Sequence, residues 1–233
     1  MNLTKTLRRQ GYDLIDGPVR NHNLLQLWLK RPFNKAQLYY SNIDHAFSSD
    51  VQLNEIENAS LKVDSNTKNE FAFNIGISVL GEILKSLGLG AFDISNEIKS
   101  GKKVTISYDN SVTKEVPIGE IHNYLSNADF RHPNGTLLKN ANRNNILIIS
   151  GVLFAKNLVV EIETDFSLDN ETVVKLNEIS GGKLDFSIKS AKKIKMESGG
   201  NTLFPIAVKA DKIDFDRGQF ANTNLVTDNR RLF

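Results

Sequence analysis

From Val160 to Leu168 the chain alternates without a fault. Val160, Ile162, Thr164, Phe166 and Leu168 form one series, and Glu161, Glu163, Asp165 and Ser167 form the other. Successive strand side chains point to opposite faces, so this run belongs to a sheet with one apolar and one polar face. The pattern recurs in Lys183 to Ser190, where Leu184, Phe186 and Ile188 are the apolar members. It recurs again in Phe71, Phe73, Ile75, Ile77 and Val79, then in Phe92, Ile94 and Ile98. Beyond Ser100-Gly101-Lys102-Lys103 it continues through Val104, Ile106 and Tyr108. The amphipathic segments thus come in two pairs, Phe71 to Val79 with Phe92 to Tyr108, and Val160 to Leu168 with Leu184 to Ser190. A helical pattern interrupts each pair. Leu80, Ile83, Leu84 and Leu87 stand at helical spacing before Gly88, and Asp169 is placed to cap a helix from about Glu171 to Ile179, stopped by Gly181-Gly182.

The remaining pattern predicts short elements around that sheet. Thr4 to Gln10 reads as a helix ending at Gly11, and Tyr12 to Ile15 and Leu24 to Leu29 read as strands on either side of Gly17-Pro18. Leu38 to Tyr40 is a further strand; Ser48 to Asn69 is polar, with at most two short strands. Ile118, Ile121, Leu125 and Ala128 mark a helix, and Thr136 to Asn142 one or two helical turns. Ile146 to Ala155 is a buried strand, Leu203 to Val208 and Lys212 to Phe215 are strands, and the residues after Gly218 read as an exposed tail. No repeat or linker divides the chain. The expected fold is a single α+β domain, with a twisted, mostly antiparallel sheet flanked by short helices.

Composition narrows the function. The absence of cysteine among 233 residues removes disulfides, thiolate metal sites and cysteine nucleophiles, and suits a reducing compartment. A formal net charge of +2 gives no electrostatic footprint for nucleic acid, so no nucleic-acid partner is expected. The most apolar run, Ile146 to Ala155, is too short for a spanning helix, which needs ~20 residues. The N-terminus has no apolar core of a secretory signal, so the chain is expected to be made as a soluble cytoplasmic protein. His22, His45, His122 and His132 are scattered without ligand spacing, and no phosphate-cradle or nucleophile-elbow motif occurs. Glu161, Glu163 and Asp165 share a strand face and could be taken for an acid or metal cluster, but a solvated sheet face explains them better. No catalytic residue, metal or cofactor is expected. Basic residues cluster at Lys5, Arg8 and Arg9; at Lys99, Lys102 and Lys103; and at Lys189, Lys192, Lys193 and Lys195, where they suit phosphate groups or simple solvation.

Two readings of the alternating pairs remain open on physics alone. In a soluble binding or scaffolding domain each segment packs its apolar face on a helix layer. A membrane β-hairpin has the same signature, apolar toward lipid and polar toward a lumen. Asn69 to Tyr108 (NEFAFNIGISVLGEILKSLGLGAFDISNEIKSGKKVTISY) resembles the first membrane-insertion region of bacterial gasdermins. Leu7 to Pro18 (LRRQGYDLIDGP) is similar to that family's N-terminal helix and following strand. Tyr124 to Asp129 (YLSNAD), Ile146 to Val160 and Ser180 to Ser190 resemble later blocks in the same order. The likeness runs from about Leu7 to Phe220.

This resemblance implies an autoinhibited antiphage effector. A caspase-like or other protease near the C-terminus would release it, and it would then assemble into large β-barrel pores in the inner (plasma) membrane and kill the cell. It implies an inactive cytoplasmic monomer, a homo-oligomeric pore, and membrane lipids as partners. The pore-forming domain would span residues 1–220, with 221–233 as a short inhibitory or cleavage tail. Two hairpins would refold into the membrane, Asn69 to Leu84 with Phe92 to Thr113 and Asn157 to Asn170 with Ile179 to Ala191. Their lipid-facing residues would be Phe71, Phe73, Ile75, Ile77, Val79, Phe92, Ile94, Ile98, Val104, Ile106 and Tyr108 in the first. In the second they would be Val160, Ile162, Thr164, Phe166, Leu168, Leu184, Phe186 and Ile188. Lys99, Lys102, Lys103, Lys192 and Lys193 would meet head groups, and Asp228, Arg230, Arg231 and Leu232 mark the candidate cleavage region. Many relatives carry an acylated N-terminal cysteine; Leu3 and Thr4 occupy that neighbourhood here.

Overall fold

The computed structural model describes residues 7–14, 22–34, 36–60, 63–65, 103–131, 135–163, 169–180, 184–198 and 203–226. After a helical turn at Leu7–Arg9 come β1 (Asp13–Leu14), β2 (Leu27–Leu29), β3 (Gln37–Tyr40), a 3-10 turn at Ile43–His45 and β4 (Phe47–Ser48). Next are β5 (Ile56–Ser60), β6 (Val63–Ser65), β7 (Lys103–Glu115), α1 (Ile118–Ser126), β8 (Asp129–Phe130) and α2 (Gly135–Ala141). The chain then forms β9 (Ile146–Glu163), α3 (Asn170–Ser180), β10 (Leu184–Ser190), β11 (Lys193–Ser198), β12 (Leu203–Asp216) and β13 (Gln219–Leu225).

β9 organises the molecule. Its 18 residues extend roughly 60 Å at strand rise, longer than any one neighbour can cover, so its partners change along its length. Residues 146–148 lie against β2, and 151–163 lie against β7 on that same side. On the other side β12 pairs with residues 146–156, and β11 takes over at 159–163. β5 and β6 extend the sheet beyond β7, β3 beyond β2, β10 beyond β11, and β1 and β13 flank β12. Every described pairing is antiparallel. A separate short ladder joins β4 to β8. The α+β expectation, with a mostly antiparallel sheet and few short helices, therefore holds.

The main core gathers at the first half of β9. Ile146, Ile148, Ile149 and Val152 are buried there with Leu27 of β2, Val208 and Ile213 of β12, and Phe47. α1 covers them with Ile121, Tyr124 and Leu125, and α2 adds Leu137 and Ala141; of the expected series, Ile121 and Leu125 are buried, Ile118 is exposed and Ala128 lies beyond the helix. Phe47 stacks on Phe215 with ring centroids 5.6 Å apart, and Phe130 touches both rings. The Tyr124 hydroxyl donates to Asp44 Oδ1 at 2.7 Å, which gives the buried phenol a polar partner.

Four readings change. Ile146 to Ala155 and Val160 to Leu168 are not separate strands, because β9 runs continuously to Glu163 through Lys156, Asn157 and Leu158. Asn157 adopts a left-handed φ of 54°, which asparagine tolerates better than most residues, and the strand continues through it while its neighbour changes from β12 to β11. Leu203 to Val208 and Lys212 to Phe215 are likewise one strand, with Pro205 beside a register shift where its missing N–H is tolerated. The stretch after Gly218 is not a free tail through Leu225. It forms β13 on the β12 edge, with Gly218 at φ 85° in the reversing turn, so the boundary drawn between 220 and 221 falls within a paired strand. Its polar composition, QFANTNL, is that of an exposed edge strand and was read as loop. Finally, the lysine-rich segment after Ser190 contains β11.

Candidate membrane-inserting sheet

The two periodic regions meet on the second half of β9. In register across β7, β9, β11 and β10, one row is Val104, Ile162, Ile194 and Ile188, and another is Ile106, Val160, Met196 and Phe186. Between them runs Thr105, Glu161, Lys195 and Ser187; beyond, Ser107 and Val159 lead to Glu197 and Asp185. Residues directly opposite one another in an antiparallel ladder share a face, so the alternation of each strand becomes apolar and polar rows four strands wide. Val160, Phe186, Ile194 and Met196 are all buried, each 5% exposed or less, although none belongs to the main core cluster. On the polar rows Lys193 Nζ lies 2.7 Å from Glu161 Oε2, and Lys195 pairs with Glu197.

That arrangement places the expected residues as follows. Val104, Ile106 and Tyr108 are in β7, Val160 and Ile162 in β9, and Leu184, Phe186 and Ile188 in β10. Lys103 begins β7, Lys192 is exposed in the β10–β11 turn, and Lys193 is held by Glu161. Phe71, Phe73, Ile75, Ile77, Val79, Phe92, Ile94, Ile98, Thr164, Phe166, Leu168, Lys99 and Lys102 lie outside the described residues, as do the helix at 80–87 and Asp228, Arg230, Arg231 and Leu232. β9 and β10 are not direct neighbours, because β11 stands between them. Ile194 and Met196 complete the apolar rows and were missed; the alternation of Lys193 to Glu197 carried the signal, hidden by its lysines.

A polar cluster lies beside the first half of β9, at the end of β7. Tyr12 of the β1 segment donates its hydroxyl to Glu115 Oε1 at 2.5 Å, and Lys209 Nζ donates to the same oxygen at 3.0 Å. These bonds hold the Glu115 carboxyl below its ordinary range despite burial, and burial with the facing carboxylate raises the Tyr12 phenol. Gly151 of β9 makes room, since a Cβ there would stand 2.9 Å from the Tyr12 hydroxyl oxygen. Beside it, Ser150 Oγ donates to buried Asp211 Oδ2 at 2.5 Å, while burial raises the Asp211 carboxyl above its ordinary value. A cleft of about 400 Å³ bounded by Glu115, His122, Ser150, Lys209, Asp211 and Leu225 opens here. His122 Nε2 and Thr223 Oγ1 at 2.7 Å tie α1 to β13 across it. The other histidines are dispersed: His22 is stacked on Trp28, His45 meets Ser41, and His132 lies outside the described residues.

Among the described residues no group of three or more histidine, aspartate or glutamate side chains is placed to hold a metal ion. Glu161 of the carboxylate trio is engaged by Lys193, and Asp165 lies outside the described residues. No described helix is long and apolar enough to cross a membrane, a statement that leaves strands aside.

A fold of this kind has been seen before. A bacterial gasdermin from Bradyrhizobium tropiciagri superposes with a TM-score of 0.55 at 14% identity, covering 95% of this chain and 90% of that one, and so shares the fold. The Gasdermin A3 membrane pore aligns with a TM-score of 0.34 at 12% identity, over 92% of this chain and 84% of that one, too low to bear on the argument. No curated protein matches the chain. The family model described as the Bacterial Gasdermin Family matches residues 15–219, nearly the whole described sheet. The chain therefore belongs to the bacterial gasdermin family, a family known for forming pores.

Proposed function

We propose that this protein is a pore-forming effector whose periodic strands leave the soluble fold and line up as amphipathic hairpins in a membrane. The observation that carries the reading is the four-strand sheet with continuous apolar and polar rows, in which Val160, Phe186, Ile194 and Met196 are buried outside the main core cluster. Detaching it leaves the β9–α1–β12 core in place. Asn157, with its left-handed backbone, stands where the partner of β9 changes from β12 to β11. From Leu158 to Leu168 the numbering spans 11 residues, the length of a tilted membrane strand. In lipid every backbone polar group needs a partner, so such hairpins are stable only once many copies close a barrel.

The active assembly is a homo-oligomer in the inner membrane, formed by a protein that waits in the cytoplasm as a monomer. A caspase-like or other protease cutting within residues 226–233, with Asp228, Arg230, Arg231 and Leu232 as candidate positions, triggers it. Lys99, Lys102, Lys103, Lys192 and Lys193 approach anionic head groups, the last after release from Glu161. The outcome is death of the infected cell in antiphage defence, with no enzymatic step.

Dye release from vesicles of bacterial polar lipids tests this, with the chain added before and after limited proteolysis. Leakage that follows cleavage supports the autoinhibited effector, and immediate leakage supports a chain already active. Folded protein that never releases dye under either condition would remove the pore reading and favour a permanently packed binding domain.

A further inference from the structure

β10 ends the sheet path β1–β12–β9–β11–β10, and among the described residues β11 is its strand partner. Its other side is not a bare edge. The Phe186 N–H donates to Asn177 Oδ1 at 2.7 Å, and Asn177 Nδ2 donates to the Phe186 carbonyl at 2.9 Å. Opposite residues in an antiparallel ladder either exchange both backbone bonds or exchange neither. Phe186 faces Met196 and spends both groups on Asn177, so this is a non-bonded pair and the two groups point away from β11. A primary amide carries donor and acceptor side by side, as a peptide does. The Asn177 side chain therefore occupies the place of one residue of a next strand, delivered by α3, which packs on β10.

We propose that Asn177 is a catch on an assembly edge: it keeps the outer side of β10 closed to strand addition by a second copy of this chain. Exposed strand edges recruit other strands, and proteins cover or interrupt those they keep apart. The second copy is the fitting occupant because, among the described residues, the sheet β6–β7–β9–β11–β10 ends in two unlike strands, β6 and β10. Pairing unlike edges head to tail repeats one interface around a ring, which a closed assembly requires. An incoming strand offers a ladder of bonds where the catch offers two, so the catch sets the threshold for assembly without preventing it. The consequence for pores rests on the function proposed above; the closure of the edge does not.

The test uses the whole chain carrying Asn177→Leu, which keeps side-chain bulk and helix propensity while removing both bonds. The Phe186 amide is expected to exchange at least tenfold faster, and light scattering to detect oligomers at a protein concentration at least tenfold lower. Leakage from phosphatidylethanolamine–phosphatidylglycerol vesicles should begin at a correspondingly lower dose. Asn177→Asp, which still accepts from the Phe186 N–H but cannot donate to its carbonyl, should fall between. A folded Leu variant whose Phe186 amide exchanges freely while its assembly threshold stays at the wild-type value overturns the proposal. A lowered threshold in solution with no leakage from any variant supports the catch and removes the pore reading instead. If the Leu variant does not fold, the Asp variant decides: wild-type exchange and wild-type assembly overturn the catch.

Discussion

One strand, two fates: the first half of β9 and its second half differ in what surrounds them. Residues 146–152 are packed by helices, aromatic rings and strands on both sides, and contribute Ile146, Ile148, Ile149 and Val152 to the main core. Residues 159–163 sit between β7 and β11, where Val160, Phe186, Ile194 and Met196 are buried and ion pairs run along the polar rows. From Ile146 to Ile149 the first half is apolar on both faces, as a strand covered on both faces must be, and from Val160 the second alternates. The function proposed above requires a part that stays folded and a part that can be withdrawn, and this difference in packing supplies a candidate for each. Stability within a fold is rarely uniform, and elements that move are drawn from the less covered end.

The largest expected effect is in the main core. Phe47→Ala removes a fully buried ring stacked on Phe215, and should cost roughly 3–5 kcal/mol. Thermal unfolding followed by circular dichroism should then fall by about 10 °C or more; a fall of a degree or two would show that this region is not the stabilising half. Phe186→Ala deletes a buried ring of the periodic sheet at a cost of roughly 3 kcal/mol. Hydrogen exchange should accelerate in β10 and β11 while amides of α1 and of Ile146 to Val152 keep their protection. Equal acceleration in both halves would abolish the distinction, since the sheet would then unfold only with the core.

Acid should act through the core half as well. Burial against Trp28 lowers the His22 imidazole from 6.5 to about 4, so the unfolded chain binds its proton first. Its contribution is therefore present above pH 6.5 and lost as pH falls toward about 4, up to roughly 3 kcal/mol. Denaturant midpoints measured across that window should slope downward with acid, and should flatten in His22→Phe, which keeps a ring against Trp28. The smallest effect is at the polar rows: Lys193→Ala breaks a partly exposed pair with Glu161 and should change stability by less than about 1 kcal/mol. If the variant instead loses several degrees, the polar rows do more of the holding than the apolar ones.

The alternation at Val160 to Glu163 and Leu184 to Ser190, the presence of α1 with Ile121 and Leu125 on its buried side, and the stop at Gly11 were legible, because each depends on the chain's own periodicity or on a backbone that glycine favours. Gly11 indeed has φ 83°. What escaped was long-range. Lys209 and Asp211 looked like a break between two strands, yet Glu115 and Ser150 give each a partner within one strand. The polar β13 and the lysine-rich β11 gained their structure from the edges they meet. Asn177 was one unremarked residue of a helix until α3 brought it beside Phe186.

The sequence by itself determined the alternation of apolar and polar residues along the described strands, the helix α3 that interrupts the second pair, and the family to which the ordered blocks point, since these follow from residue spacing. Only the tertiary structure decided that β9 is a single strand running through Asn157, that β11 lies between β9 and β10, and that a side-chain amide closes the β10 edge. Strand order and edge closure depend on hydrogen bonds between residues distant in the chain, and period-two alternation is the same whichever neighbour a strand acquires.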